Sequence, residues 1–191
     1  MGGSISVSTT PAAANIVDGY HSIVARSGKH LLTRSATEKL VINALQLSPI
    51  VLLLARSGQG KSTLIAQILS RQEIQSKWDV MHSVFVGSVE GSTILFRILT
   101  DLCLALYKDL KMYNLWKTSY EAALPITLMG LVGLFTCLLE ELSNDKKKVL
   151  ICFDALNELD GATARLLTFI PQKSSATFLL TTIMNPQVEK N

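Results

Sequence analysis

Residues Val51-Leu52-Leu53-Leu54-Ala55 run directly into Arg56-Ser57-Gly58-Gln59-Gly60-Lys61-Ser62-Thr63. No other stretch constrains the fold as strongly. An apolar run, a glycine-bearing loop and an amphipathic segment predict a buried strand, a tight turn and a helix. The helix is expected from Lys61 to about Ser76, with Leu64, Ile65, Ile68 and Leu69 on one face. The phosphate-loop pattern is G-x-x-x-x-G-K-[ST]. Gly60, Lys61 and Ser62 fill its last three positions, and Ala55 replaces its first glycine. Gly58 and Gly60 let the backbone curl so that amide N–H groups point inward. Lys61 supplies a positive charge for β- and γ-phosphates, Ser62 a hydroxyl for Mg²⁺, and the helix start a positive dipole end. The bland reading is a glycine-rich turn before a helix. A left-handed backbone at Ala55 would cost roughly 1 kcal/mol against glycine and weaken binding. Ala55, Ser57, Gly58, Gln59, Gly60, Lys61, Ser62 and Thr63 are therefore the candidate ligands of a nucleoside triphosphate with magnesium.

A second segment points the same way. Val149-Leu150-Ile151-Cys152-Phe153 ends in Asp154, followed by Ala155-Leu156-Asn157-Glu158. A parallel strand buried on both faces reads as a continuous apolar run. A carboxylate at its C-terminal end stands where ligands bind in open α/β sheets. Asp154 is expected beside Ser62, holding Mg²⁺ directly or through water. Glu158 is the catalytic candidate, able to aim a carboxylate at an attacking water; its alternative is a solvated carboxylate at a helix start. The triplet Lys146-Lys147-Lys148 reads as a solvated approach to the strand, with a nucleic-acid patch as the lesser alternative.

Phe153-Asp154-Ala155-Leu156-Asn157-Glu158-Leu159 resembles the Walker B segment of NACHT-type signal-transduction ATPases of the STAND class, usually four hydrophobics followed by D-G-h-D-E. His82-Ser83-Val84-Phe85-Val86-Gly87-Ser88 and Ser92-Thr93 are similar to the second strand and following turn of nephrocystin-3-like NACHT domains. Phe169-Ile170-Pro171 and Phe178-Leu179-Leu180-Thr181-Thr182 resemble the tract into their fourth strand. The resemblance covers roughly residues 34–186. It implies a three-layer P-loop NTPase fold in which the third strand adjoins the second and the fourth lies between the first and third. It implies ATP or ADP as ligand, with Mg²⁺; no N-K-x-D guanine-reading motif occurs. Ala155 stands where glycine is usual and Asn157 where an acid is usual. Residues 182–186 hold no arginine to sense the γ-phosphate. Together with Ala55, these departures imply slow or absent hydrolysis, and a nucleotide switch ahead of a fast ATPase. The alternative is a degenerate P-loop domain used as a protein-interaction scaffold; a small-molecule kinase is a more distant reading.

Composition sets the remaining bounds. The 191 residues suit one α/β unit, and 48% hydrophobic residues with a mean hydropathy of +0.33 exclude a disordered chain. A net charge of +3 calls for neither nucleic acid nor an acidic membrane surface. Cys103, Cys137 and Cys152 show no metal or disulfide spacing, which suits a reducing, cytoplasmic setting. His21, His30 and His82 are likewise isolated. Residues 1–32 read as a flexible segment ahead of the NTPase domain at 33–191, itself read as incomplete at its C-terminus, with protein partners engaged through regions beyond this chain. Met1-Gly2 with Ser6 fits an N-myristoylation pattern, against an inert tail. Ala122 to Leu139 is uncharged for 18 residues, the lower limit for a spanning helix. A crossing there would divide Lys61 from Asp154, so a buried helix is expected, with Gly130 and Gly133 allowing close approach to a strand.

The expected element order is helix 33–47 with Leu40, Val41, Ala44 and Leu45 inward, strand 50–54, helix 61–76, strand 80–86, a helix capped by Ser92 or Thr93 and reaching Tyr107, a connection over 108–120, helix 126–142, strand 149–153, helix 162–169 and strand 177–181. Alternation of this kind implies a parallel sheet with right-handed crossovers.

Overall fold

A computed structural model describes residues 35–88, 90–113, 115, 124–161, 167–171 and 174–184. The sequence-predicted helix at 162–169 and the myristoylation motif fall wholly or largely outside them. The described elements are α1 (Ser35–Leu47), β1 (Ile50–Ala55), α2 (Lys61–Ser70), α3 (Gln72–Gln75), β2 (Val80–Phe85), α4 (Leu95–Met112), α5 (Leu128–Asn144), β3 (Val149–Asp154), a 3₁₀ turn (Leu156–Glu158) and β4 (Thr177–Ile183).

The four strands form one parallel sheet in the order β1-β4-β3-β2, as the resemblance implied. Register aligns Leu53 with Thr181 across β1 and β4, and Phe153 with Leu180 across β3 and β4. β1 and β4 run on to Ala55 and Ile183, just past the level of Phe85 and Asp154, and the loops leaving all four strands share one edge of the sheet.

Side-chain alternation divides the core into two layers. On one face, Leu150, Cys152, Leu179 and Phe85 pack under Val41 and Leu45 of α1 and Leu64, Ile65, Ile68 and Leu69 of α2. On the other, Ile151, Phe153, Phe178 and Leu180 pack under α4 and α5. There Leu99, Leu102, Leu106 and Phe135 are fully buried, and Phe153 meets Phe169 edge to face at 5.3 Å between centroids. This is the three-layer arrangement expected of the sequence. β3 is buried along its whole length. β1 is not: Ile50, Leu52 and Leu54 are exposed, because β1 pairs only with β4 and has no helix over its second face among the described residues.

Several boundaries differ from expectation for local reasons. The helix expected over 61–76 stops at Ser70, whose hydroxyl donates to the Gln67 carbonyl at 2.8 Å. Arg71 then turns extended, with φ −72° and ψ 132°, and its guanidinium meets the buried carboxylate of Glu38 on α1. That ion pair holds α1 against α2 and explains why a charged residue lies on the inner face of α1. Leu40, expected inward, is instead 70% exposed. α4 begins at Leu95 without a side-chain cap, so neither Ser92 nor Thr93 caps it. It runs past Tyr107 to Met112 because the apolar stripe continues to the fully buried Leu110, while Asp109 meets His82 Nε2 at 2.6 Å. α5 starts only after Thr127, whose hydroxyl oxygen accepts the Gly130 N–H at 3.1 Å. Gly130 is packed against its own approach, not a strand: a Cβ there would lie 2.7 Å from Pro125 Cβ. Gly133 is exposed with open space around it. No helix among the described residues is long and apolar enough to cross a membrane.

Candidate phosphate-loop site

β1 ends at Ala55, which lies in the strand opposite Ile183 and not in the left-handed region. The expected strain at Ala55 is therefore absent, because the turn into the loop begins one residue later. Gly58 and Gly60 carry the positive φ values, +74° and +72°. Gly60 precedes α2, and its carbonyl accepts the Leu64 N–H at 2.9 Å. No side chain caps this helix. The amides of Lys61, Ser62 and Thr63 lie in its first turn, where no carbonyl one turn earlier can serve them. Their N–H groups and the helix dipole make this end electropositive. Ser57, Gly58 and Gln59 are exposed, while Gly60 to Thr63 are half-buried. Lys61 folds back over the loop: Nζ donates to the Ala55 carbonyl at 2.9 Å and to the Arg56 carbonyl at 3.1 Å. An ammonium, a hydroxyl and a run of amides thus gather beyond the end of β1.

Asp154 closes β3 two residues after Cys152, so both point to the face covered by α2. The carboxylate is 3% exposed. Thr181 on the neighbouring strand donates its hydroxyl to Asp154 Oδ1, while its oxygen accepts the Ala155 N–H at 2.9 Å. Burial, reinforced by the Asp154 charge, pushes the Cys152 thiol well above its ordinary range. Cys152 is therefore packing and not a nucleophile. Thr181 was read in the sequence only as part of a strand. Its signal was its place at the end of that strand, one register step from Asp154.

After Asp154 the chain reverses through Ala155, which is left-handed at φ 58° and ψ 47°. A glycine adopts this conformation without the Cβ penalty, which accounts for the glycine usual at this position in the resembling family. The 3₁₀ turn then presents Asn157 and Glu158, both exposed. Asn157 Nδ2 donates to Glu158 Oε1 at 2.8 Å, and Asn157 Oδ1 accepts the Ile183 N–H at 3.2 Å. Glu158 lies against Gly87, where an added Cβ would sit 3.7 Å from Glu158 Cβ. Gly87 follows β2, the strand farthest from β1. The structure thus brings the loop and Asp154 to one edge and one face of the sheet. It places Glu158 on the β2 side of that edge. Thr93 and Asp160 link the loops after β2 and β3, Asp160 N–H donating to the Thr93 carbonyl at 2.9 Å and the Thr93 hydroxyl to Asp160 Oδ2 at 2.6 Å.

A cavity of about 440 Å³ lies elsewhere. Ile50, Val132, Ile170, Pro171 and Leu180 line it, on the face opposite Asp154. It is mostly apolar, with Thr136 and Thr168 also in its wall, and none of its lining residues belongs to the phosphate loop. No group of three or more His, Cys, Asp or Glu side chains among the described residues could hold a metal. The donors at the loop are of another kind: one hydroxyl and one carboxylate suit a hard cation that keeps several waters and shares phosphate oxygens.

The NB-ARC domain family matches residues 31–182. Among solved structures, the chain is similar to the ORC1 protein of Aeropyrum pernix in complex with DNA, with a TM-score of 0.54 and 15% identity over 92% of this chain and 45% of that one. It is also similar to a Walker-type ATPase of Pyrococcus abyssi, with a TM-score of 0.49 and 14% identity over 81% and 46%. A third is the ORC2 protein of Aeropyrum pernix in ADPNP–ADP complexes, with a TM-score of 0.42 and 16% identity over 81% and 43%. The chain spans less than half the length of each of these structures. No curated protein matches it. The helix-flanked parallel sheet is the P-loop NTPase fold.

Proposed function

We propose that this chain, which belongs to the NB-ARC domain family, is the nucleotide-binding switch module of a signal-transduction ATPase, taking ATP or ADP with Mg²⁺ and turning it over slowly. One observation carries the reading. The loop amides with Lys61, and the buried carboxylate of Asp154, meet at the same edge and on the same face of a parallel sheet.

In this reading the first-turn amides and those around Gly58 and Gly60 cradle the phosphates. Lys61 exchanges two neutral carbonyl acceptors for charged phosphate oxygens, which hold an ammonium more strongly. Ser62 and Asp154 would hold the magnesium ion, which would supply charge to offset that developing on the phosphates. Glu158 orients water. Its tie to Asn157 and its place beside Gly87 leave it to one side of the loop, which supports slow turnover more directly than Ala55 does. The missing arginine in 182–186 adds to this. Removing a group that stabilises transition-state charge costs about 10²–10³ in rate, so turnover well below about 1 s⁻¹ is expected.

Within the STAND class, the segments around Asp154 and His82 favour a NACHT-type, nephrocystin-3-like relative as the finer placement. We read residues 33–191 as the NTPase domain, with protein partners engaged through other surfaces than the nucleotide site and a cytoplasmic setting. The ORC1 likeness is one of fold, and a net charge of +3 gives no independent reason to assign DNA as ligand. The competing reading, a scaffold that has lost nucleotide binding, is disfavoured by Lys61, Ser62 and Asp154 being all present.

Calorimetric titration with ATP, in EDTA and in Mg²⁺, tests the proposal. Binding in both conditions, tighter with Mg²⁺, is the expected result. Asp154→Asn should lose the magnesium increment and keep magnesium-free affinity. No ATP binding by the folded chain would overturn the switch reading and leave the scaffold.

A further inference from the structure

The buried end of β4 has a chemistry that strand packing does not require. Thr181 is fully buried, yet it carries a hydroxyl where valine would fill the same volume. Both hydrogen-bonding capacities of that hydroxyl are engaged. It donates to Asp154 Oδ1 and accepts the Ala155 N–H at 2.9 Å. The directions are fixed by the partners: an amide can only donate, and an ionised carboxylate can only accept. The hydroxyl proton is therefore committed to Oδ1. Oδ2 makes no hydrogen bond among the described residues.

The second bond bears on backbone geometry. Ala155 is left-handed, and its N–H, turned toward β4, finds its acceptor in Thr181. One hydroxyl thus fixes the carboxylate and the turn that carries it away from β3. A carboxylate rotates freely about its last torsion unless one oxygen is held. Holding Oδ1 selects which oxygen faces a cation.

We propose that Thr181 is the positioning residue of the magnesium-holding carboxylate, binding Asp154 Oδ1 so that Oδ2 is presented to the metal ion. The inference rests on the assignment of Asp154 to Mg²⁺ above. It adds that β4, through this hydroxyl, sets metal affinity without touching nucleotide. Partners of this kind that orient metal ligands are worth about 10–100-fold in metal affinity.

The test compares wild type, Thr181→Val, Thr181→Ser and the double variant Thr181→Val/Asp154→Asn. Each is titrated with ATP in EDTA and in Mg²⁺, and a melt without nucleotide checks folding. The quantity read is the ratio of the two affinities. Thr181→Val should lower that ratio by about tenfold or more, with EDTA affinity unchanged. Thr181→Ser should restore it. In the Asp154→Asn background, Thr181→Val should change it no further. A residue that only supports the fold would lower both affinities together and would add to Asp154→Asn. Should Thr181→Val fail to fold, Thr181→Cys, which lacks the γ-methyl and offers only a weak S–H donor, should show the same loss at smaller size. An unchanged ratio in a folded valine or cysteine variant, beside a magnesium-responsive wild type, overturns this inference alone. A wild type that binds ATP without any magnesium response removes the metal assignment of Asp154, and this inference with it.

Discussion

Asn157 donates its side-chain amide to Glu158 Oε1 at 2.8 Å while its carbonyl oxygen accepts the Ile183 N–H at 3.2 Å. A residue that reads in the sequence as a lost acid is therefore a clamp. It holds the neighbouring carboxylate and ties the turn after β3 to the end of β4.

Asn157→Asp should release that clamp. An aspartate cannot donate to Glu158, and two adjacent carboxylates repel. It also restores the acid usual in the resembling family. Phosphate release should rise by at least about tenfold, a fraction of the roughly 10²–10⁴ that a positioned base contributes, while ATP affinity stays within a few-fold. A rate at or below wild type would show that the clamp aids turnover.

Lys61→Ala should cost roughly 2–4 kcal/mol of ATP affinity, as expected for a charge-assisted contact in a partly desolvated site. Because the carbonyls that Lys61 Nζ meets among the described residues are those of Ala55 and Arg56 in its own loop, the variant should fold normally. Thermal melts with and without ATP check both points: an unchanged melting temperature alone, and loss of the ATP-dependent rise. Equal stabilisation by ATP in variant and wild type would refute the phosphate-loop assignment.

The loop and Asp154 were legible because each rests on a local pattern with a fixed geometric consequence, whereas the strand order followed only from the family resemblance. A GKS triplet after an apolar run fixes a helix start, and an apolar run ending in aspartate fixes a strand end. The exposure of β1 was not legible. Leu52 and Leu54 read as core, and only the sheet order reveals that β1 lies at an edge. The break of α2 was hidden for a similar reason. Arg71 leaves the helix to reach Glu38, a partner 33 residues away. Thr181 was missed because a threonine inside a strand carries no signal until the register sets it beside Asp154.

Ala155→Gly should stabilise the fold. The left-handed backbone at Ala155 costs about 1–2 kcal/mol for a residue with a Cβ. Part of that gain is offset by the greater freedom of glycine in the unfolded chain, leaving an expected net of about 0.5–1 kcal/mol. Urea denaturation should show a higher midpoint with an unchanged slope. A lower midpoint would mean that the Ala155 methyl group packs well enough to outweigh the strain.

Asp101 sets a pH dependence. It lies on the buried side of α4 at 9% exposure, and its Oδ2 has no hydrogen-bond partner among the described residues. Burial raises its carboxyl above the ordinary value of 3.8, and Arg97 only partly opposes this. The folded state therefore holds this proton more tightly than the unfolded chain. Its contribution is fully present below pH 3.8 and is lost as pH rises through the elevated value. At neutral pH, Asp101 is an ionised group with incomplete partners and a net cost. Asp101→Asn removes the charge at similar volume, so it should be more stable than wild type at pH 7, by about 1 kcal/mol. Its advantage should shrink as acidification neutralises Asp101 in the wild type. Urea denaturation of both chains, from neutral pH down to about pH 4, checks the sign. A difference independent of pH would place the cost in packing, and a less stable variant at pH 7 would show that the Arg97 attraction outweighs burial.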